Sequence, residues 1–132
     1  MQAANGDRLR RSNIDASLMS LLLFLRRTGP VAIVEIRGPL TLSPNLRSLK
    51  KQLADQLTPE TTGLVLDLTG APIMDSAGLG ELVAIYASAQ RRGNRIELAG
   101  ASPAVVELLR LTRLDSFFAM HPDEASAIAA LR

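Results

Sequence analysis

A chain of 132 residues with 47% hydrophobic content is sized for one domain around a packed core. It holds no cysteine, which removes disulfides, thiolate metal sites and cysteine nucleophiles, and suits a reducing compartment such as the cytoplasm. Fifteen basic against thirteen acidic residues leave a net charge of only +2, and three Phe with one Tyr offer little stacking surface, so direct nucleic-acid binding is not indicated.

Residues 1–17 are polar without sustained periodicity and read as a flexible extension, which leaves 18–132 as the domain. The apolar run Leu18 to Leu25 follows Arg8, Arg10 and Arg11, as the core of a signal peptide would. It is too short to span a bilayer, and Arg26-Arg27 stand where cleavage would need small residues. No membrane association is expected, and the run reads as a strand. Arg26-Arg27-Thr28-Gly29-Pro30 then predicts the turn of a hairpin, and Val31 to Arg37 its second strand. Ser43-Pro44 supplies an N-cap with proline at the first helical position. Leu46, Leu49, Leu53 and Leu57 predict one helix from Pro44 to Leu57.

Gly63 to Leu68 is a short apolar run between Pro59 and Gly70, the pattern of a central buried strand. After Ser76, a helix is predicted with Leu79, Leu82, Val83, Tyr86 and Ala87 on its buried face, closing at Arg91-Arg92-Gly93. Arg95 to Ala99 alternates as a strand. Ser102-Pro103 opens a helix that buries Val105, Leu108 and Leu109. Phe117 to Met120 predicts a short edge strand, His121 a loop residue, and Pro122 to Leu131 a terminal helix. The expected fold is α/β: a mixed sheet of about five strands with an N-terminal hairpin, packed against about four helices. The helix-linked strands should be parallel and the hairpin strand an antiparallel edge.

Chemistry concentrates on the loop that joins the central strand to the Ser76 helix, at the strand end where open α/β sheets carry their sites. Asp75 or Ser76 can cap the helix, whose first amides are also hospitable to a phosphate. Gly78 and Gly80 each cost the helix about 1 kcal/mol relative to alanine, which implies tight packing on the sheet or close approach of another molecule. Asp67, Asp75 and Glu81 are not spaced as a magnesium site. No Gly-x-Ser-x-Gly elbow, Gly-x-Gly-x-x-Gly fingerprint or Walker motif is present, so neither a catalytic residue nor a cofactor is expected.

Val65-Leu66-Asp67-Leu68, then Met74-Asp75-Ser76-Ala77-Gly78-Leu79-Gly80, Gly93 before a strand, Ser102-Pro103-Ala104-Val105 and Leu111-Thr112-Arg113-Leu114-Asp115 together resemble the STAS family, and in particular its stand-alone anti-sigma factor antagonists. The resemblance covers residues 18–131. It implies a non-enzymatic partner switch. The unmodified antagonist binds an anti-sigma factor that is also a serine kinase of the histidine-kinase-like ATPase type, and so frees a sigma factor. Phosphorylation of the serine matching Ser76 separates the complex, and a serine phosphatase resets it. The partner surface implied is Thr41 with Met74, Asp75, Ser76, Ala77, Gly78, Leu79 and Gly80. Antagonists of the family usually carry an acidic residue after the glycine that ends the second strand, and an aspartate two places on. Here Pro39 and Thr41 stand there; Thr41 reads first as an ordinary strand-end threonine, and as a secondary candidate for a neutral hydrogen-bonding substitute or a second phosphosite. The alternative is a scaffold or adaptor subunit of a signalling or transport assembly that keeps the fold and lacks the switch. A monomer is the default expectation, although the Leu18–Leu25 strand lies where it could pair with another chain.

Overall fold

The computed structural model describes residues 21–132. The expected 1–17 extension and the first three residues of the expected Leu18–Leu25 strand lie outside them. In chain order the elements are β1 (Leu22–Thr28), β2 (Val31–Arg37), α1 (Pro44–Arg47), α2 (Leu49–Gln56), β3 (Gly63–Gly70), α3 (Ser76–Arg91), β4 (Arg95–Ala99), α4 (Pro103–Leu111), β5 (Ala119–His121) and α5 (Glu124–Ala130). One five-stranded sheet runs in the order β1-β2-β3-β4-β5. β1 is antiparallel to β2 and every other neighbour is parallel, so the mixed sheet with its N-terminal hairpin is as expected.

The hairpin turn is shorter than the sequence suggests. Thr28 pairs with Val31, Arg27 with Ala32 and Arg26 with Ile33, which leaves only Gly29 and Pro30 in the turn. Gly29 takes φ +59°, a conformation open to a residue without Cβ. Both arginines stay in the strand because distant groups receive them. Arg26 Nη2 donates to both carboxylate oxygens of Glu124 at 2.8 and 2.7 Å, and Arg27 Nη1 to Thr61 Oγ1 at 2.9 Å.

The single helix expected over Pro44–Leu57 is two, so the described residues hold five helices where about four were expected. Ser48 interrupts it with φ −96° and ψ 1°. Its hydroxyl donates to Asn45 O at 3.1 Å and accepts from Gln52 Nε2 at 2.7 Å. A serine that bonds locally in this way competes with the helical ladder. The apolar stripe survives the break, with Leu46, Leu49 and Leu53 all buried.

Alternation along the strands sends Ala32, Val34, Ile36, Leu64, Leu66, Leu68, Ile96 and Leu98 to one sheet face, where they meet Leu46, Leu53, Leu82, Ile85, Val105 and Leu109 of the helices. Val31, Ile33, Val65 and Ala99 point the other way, onto Ala127, Ile128 and Leu131 at the C-terminal helix. On α3 the buried line is Gly78, Leu82, Ile85 and Ala89. Val83, expected in that line, is exposed, since one residue of helix turns it about 100° away from Leu82. The last strand begins two residues late, at Ala119, because Phe118 is drawn into the core against Tyr86, their ring centroids 5.3 Å apart. His121, expected in a loop, closes this strand. Its parallel register beside Ala99 brings Nε2 within 2.6 Å of Oε1 of buried Glu97. The terminal helix starts at Glu124 rather than Pro122, with Asp123 as N-cap accepting from Ser126 N at 2.8 Å.

Candidate functional site

The parallel strands β2, β3 and β4 all end at the same side of the sheet, and the three loops that follow them fasten to one another there. The segment after β2 lies along the segment after β3: Gly38 N donates to Gly70 O at 2.9 Å, Leu40 N to Ile73 O at 2.9 Å, and Asp75 N to Leu40 O at 3.2 Å. Leu40 and Met74 thus pair as an isolated parallel bridge. From the third loop, Ser102 Oγ donates to Pro72 O at 2.9 Å while accepting from Val105 N at the start of α4. Gly100 lies against Thr69, where a Cβ would collide with its hydroxyl.

Asp75, not Ser76, caps α3. Its Oδ1 accepts from Gly78 N at 2.9 Å and its Oδ2 from Leu42 N at 3.0 Å. These two amide donors hold the carboxyl below the ordinary aspartate range, so it is ionised at neutral pH. One side chain therefore satisfies a helix-start amide and fixes the neighbouring loop. Ser76 follows as the first residue of α3, and it is exposed. Thr41 stands between Leu40 and Leu42, the two residues bonded to Asp75, so the loop brings it to the site despite 33 residues between it and Asp75.

The two glycines separate cleanly. A Cβ on Gly78 would come within 2.0 Å of Leu40 O and 2.9 Å of its carbonyl carbon, so the start of α3 sits on the Leu40 loop through a bare backbone. A Cβ on Gly80 would meet nothing within 4 Å. The packing of the chain itself explains Gly78 and leaves Gly80 unexplained.

Met74, Ala77 and Leu79 are half-buried between helix and loop. More apolar surface is offered by Leu42 and Ile73, which the sequence does not mark and which are 62% and 60% exposed, and by Val83, which was expected in the core and is 38% exposed. Ser76, Gly80 and Val83 are four and then three residues apart and lie on one side of α3. That spacing was the available signal for Val83, which its apolar character disguised as core. Leu42 and Ile73 carry no sequence signal, because an apolar loop residue can turn either way.

The carboxylates considered around a cation do not converge. Asp67 belongs to the opposite sheet face, where Thr69 N donates to it at 2.9 Å. Glu81 Oε1 accepts from Lys50 N at 3.2 Å, joining α3 to α2. Among the described residues no cluster of three or more His, Asp or Glu is arranged to hold a metal ion. Nor is any described helix long and apolar enough to cross a membrane.

Known structures share this architecture. An anti-sigma factor antagonist candidate from Thermotoga maritima superposes with a TM-score of 0.74 at 23% identity, over 82% of this chain and 92% of that one. The phosphorylated form of the Bacillus cell fate determinant SpoIIAA matches with a TM-score of 0.66 at 18% identity, over 84% of this chain and 100% of that one. The murine anion transporter Slc26a9 contains the same fold, with a TM-score of 0.69 at 16% identity over 88% of this chain but only 23% of the transporter. At these identities the likeness is one of fold. The family model for the STAS domain matches residues 24–127, from within the hairpin to the terminal helix and across all three fastened loops, and the chain belongs to the STAS domain family.

Proposed function

We propose that this chain is an anti-sigma factor antagonist, a non-enzymatic cytoplasmic switch whose partner surface is the start of α3 with the Leu40–Leu42 loop and whose switch is phosphorylation of Ser76. The observation that carries the reading is the exposed Ser76 hydroxyl at the first position of α3, beside an ionised Asp75 and among exposed Leu42, Ile73 and Val83. Bound to an anti-sigma factor that is also a serine kinase of the histidine-kinase-like ATPase type, these apolar side chains leave water and Gly80 admits close backbone approach. The kinase transfers the γ-phosphoryl group of ATP to Ser76 Oγ, with loss of the hydroxyl proton and release of ADP. The phosphate adds about two negative charges next to Asp75, where a seated partner would have to desolvate both, and the complex separates. A serine phosphatase hydrolyses the ester and restores the binding form.

Intact mass after incubation with a candidate kinase and ATP tests the switch. One added phosphate, absent from Ser76→Ala, is expected; no addition from a kinase active on its other substrates would refute it. Ser76→Asp should weaken kinase binding while Ser76→Ala keeps it, and equal affinities would defeat the charge mechanism.

A scaffold or adaptor role is the second reading, and Pro39 and Thr41 in place of carboxylates favour it. It keeps the same surface without the switch. A partner that co-purifies with the chain, lacks kinase activity and binds Ser76→Asp as well as the parent chain would establish it.

A further inference from the structure

We propose that β1 is a homodimer seam, at which two copies of this chain pair antiparallel about Leu23 and join their sheets. β1 ends the strand order, so the outer edge of its seven residues has no partner among the described residues. Exposed edges in soluble proteins are usually blunted by proline, bulges or inward charges. This one begins Leu22-Leu23-Phe24-Leu25 and has none of these before Arg26. It is apolar on both faces. Leu22 and Phe24, 51% and 41% exposed, stand on the face that also carries Arg26, with the Arg37 guanidinium 4.4 Å over the Phe24 ring. Leu23 and Leu25, half-exposed on the other face, line a groove of about 330 Å³ with Val34 and Leu53, and Gln52 and Asp55 of α2 complete its lining.

A second copy fits this edge because the apolar block is self-complementary. Antiparallel pairing centred on Leu23 sets Leu21 opposite the second copy's Leu25, Leu22 opposite its Phe24, and Leu23 opposite itself. Every position from 21 to 25 then meets an apolar one on the same face. Arg26 and Arg27 of the two copies fall outside the block at opposite ends of the seam, so like charges do not face each other. The chain's own residues 1–17 suit the edge less well. Residues 1–17 are polar and carry Arg8, Arg10 and Arg11, whereas the edge is apolar on both faces and ends in two arginines. A seam of one short strand falls at the low end of specific interfaces, below about 1,200 Å², so the dimer is weak, with a Kd in the micromolar range. Ser76 sits at the start of the helix after β3, two strands in from the seam, so the proposal does not rest on the partner-switch reading. It replaces the monomer expected from the sequence.

Sedimentation equilibrium of the full chain from about 1 to 500 µM, a range that brackets such a Kd, should follow a monomer–dimer curve. Leu22→Lys/Phe24→Lys, made at two exposed positions, should weaken association at least about tenfold by placing like charges across the seam, with an unchanged circular-dichroism spectrum. The absence of native cysteine permits a register test. A Leu23→Cys chain should cross-link to itself under mild oxidation. Leu21→Cys and Leu25→Cys chains should cross-link when mixed but not alone. A monomer throughout the concentration range, a dimer indifferent to the lysine pair, or cross-linking independent of position would each overturn the proposal. A monomer whose β1 amides are all protected from hydrogen exchange would overturn it in favour of residues 1–20 as the occupant.

Discussion

Gly78 and Gly80 lie two residues apart in one helix, and alanine at the two positions should have opposite effects. At Gly80 the new methyl meets nothing within 4 Å, and the backbone φ is not positive. The helix-propensity gain of about 0.5–1 kcal/mol should therefore be realised in full. At Gly78 the same gain is opposed by a Cβ placed 2.0 Å from Leu40 O. Leu40 cannot step aside cheaply: its side chain is buried, its N–H is bonded to Ile73 O, and its carbonyl accepts from Asp75 N. Relief means overpacking strain of about 1–3 kcal/mol plus about 1 kcal/mol for the loosened hydrogen bond, offset by about 1 kcal/mol of propensity. The net is a destabilisation of about 1–3 kcal/mol. At roughly 4 °C per kcal/mol for a chain of this size, Tm should fall by about 4–12 °C for Gly78→Ala and rise by about 2–4 °C for Gly80→Ala. Thermal melts with urea titrations at constant m measure both. Gly78→Ala at or above parent stability would refute the account of how the loop and helix fit, and Gly80→Ala below it would show that the bare backbone serves the fold after all. If Gly80 serves a partner instead, the stabilised variant should bind that partner more weakly.

Leu42→Ala and Ile73→Ala remove exposed side chains, so each should move stability by less than about 0.5 kcal/mol while weakening capture of the partner; a change in Tm without a change in binding would reverse the assignment. Phe118→Ala, at a buried ring against Tyr86, should cost about 3–5 kcal/mol in a urea titration, and a cost under 1 kcal/mol would place that ring outside the core. Acid should destabilise the fold in a definite window. Asp75 and Asp123 are held low by backbone donors from Gly78 and Leu42 and from Ser126, and Asp67 is held low, against its own burial, by Glu124, Thr69 and Arg26. A depressed folded-state pKa contributes stability that is present above the unfolded value near 3.9 and is lost as pH falls through the folded value. Glu124, raised by its hydrogen bond with Asp67, acts in the opposite sense: its contribution is present below the unfolded value near 4.3 and fades as pH rises through the folded one. Urea midpoints should therefore drop below about pH 4, and Asp75→Asn should reduce the drop.

β2 and β4 are legible in the sequence because their apolar pattern is decided by the strand itself. Two of the misread regions are decided by partners far along the chain. Arg26 looks like a turn residue until Glu124, 98 residues away, is seen to receive it. His121 looks like a loop residue until the register beside β4 sets it against Glu97. At the site, the spacing of Asp75, Ser76 and the two glycines marked the strand-to-helix loop, and Thr41 came to it through the family resemblance. The division of labour between Asp75 and Ser76, and between Gly78 and Gly80, was not visible. It depends on Leu40 and Leu42, which bear no mark beyond being apolar.

That division alters the electrostatics of a phosphate on Ser76. With the first amides of α3 free, the helix start would cradle the phosphate on the separated protein. Asp75 already takes Gly78 N through its side chain and draws on Ala77 N as well, and Leu79 N is bonded to the Asp75 carbonyl, so little of the helix start is left to face the new charge. The phosphate therefore meets a partly filled anion site with a carboxylate fixed beside it, and its cost on the free protein is higher than an empty helix N-terminus would imply. In the proposed switch, Thr41 would moderate that cost. Held by the bonds of its neighbours to Asp75, it contributes a hydroxyl that can donate where an aspartate would repel. Thr41→Asp should then lower the extent of Ser76 phosphorylation reached with a given kinase, whereas Thr41→Val should have a smaller effect of the same sign. Equal phosphorylation of all three chains would show that the loop after β2 holds Asp75 in place but does not act on the phosphate.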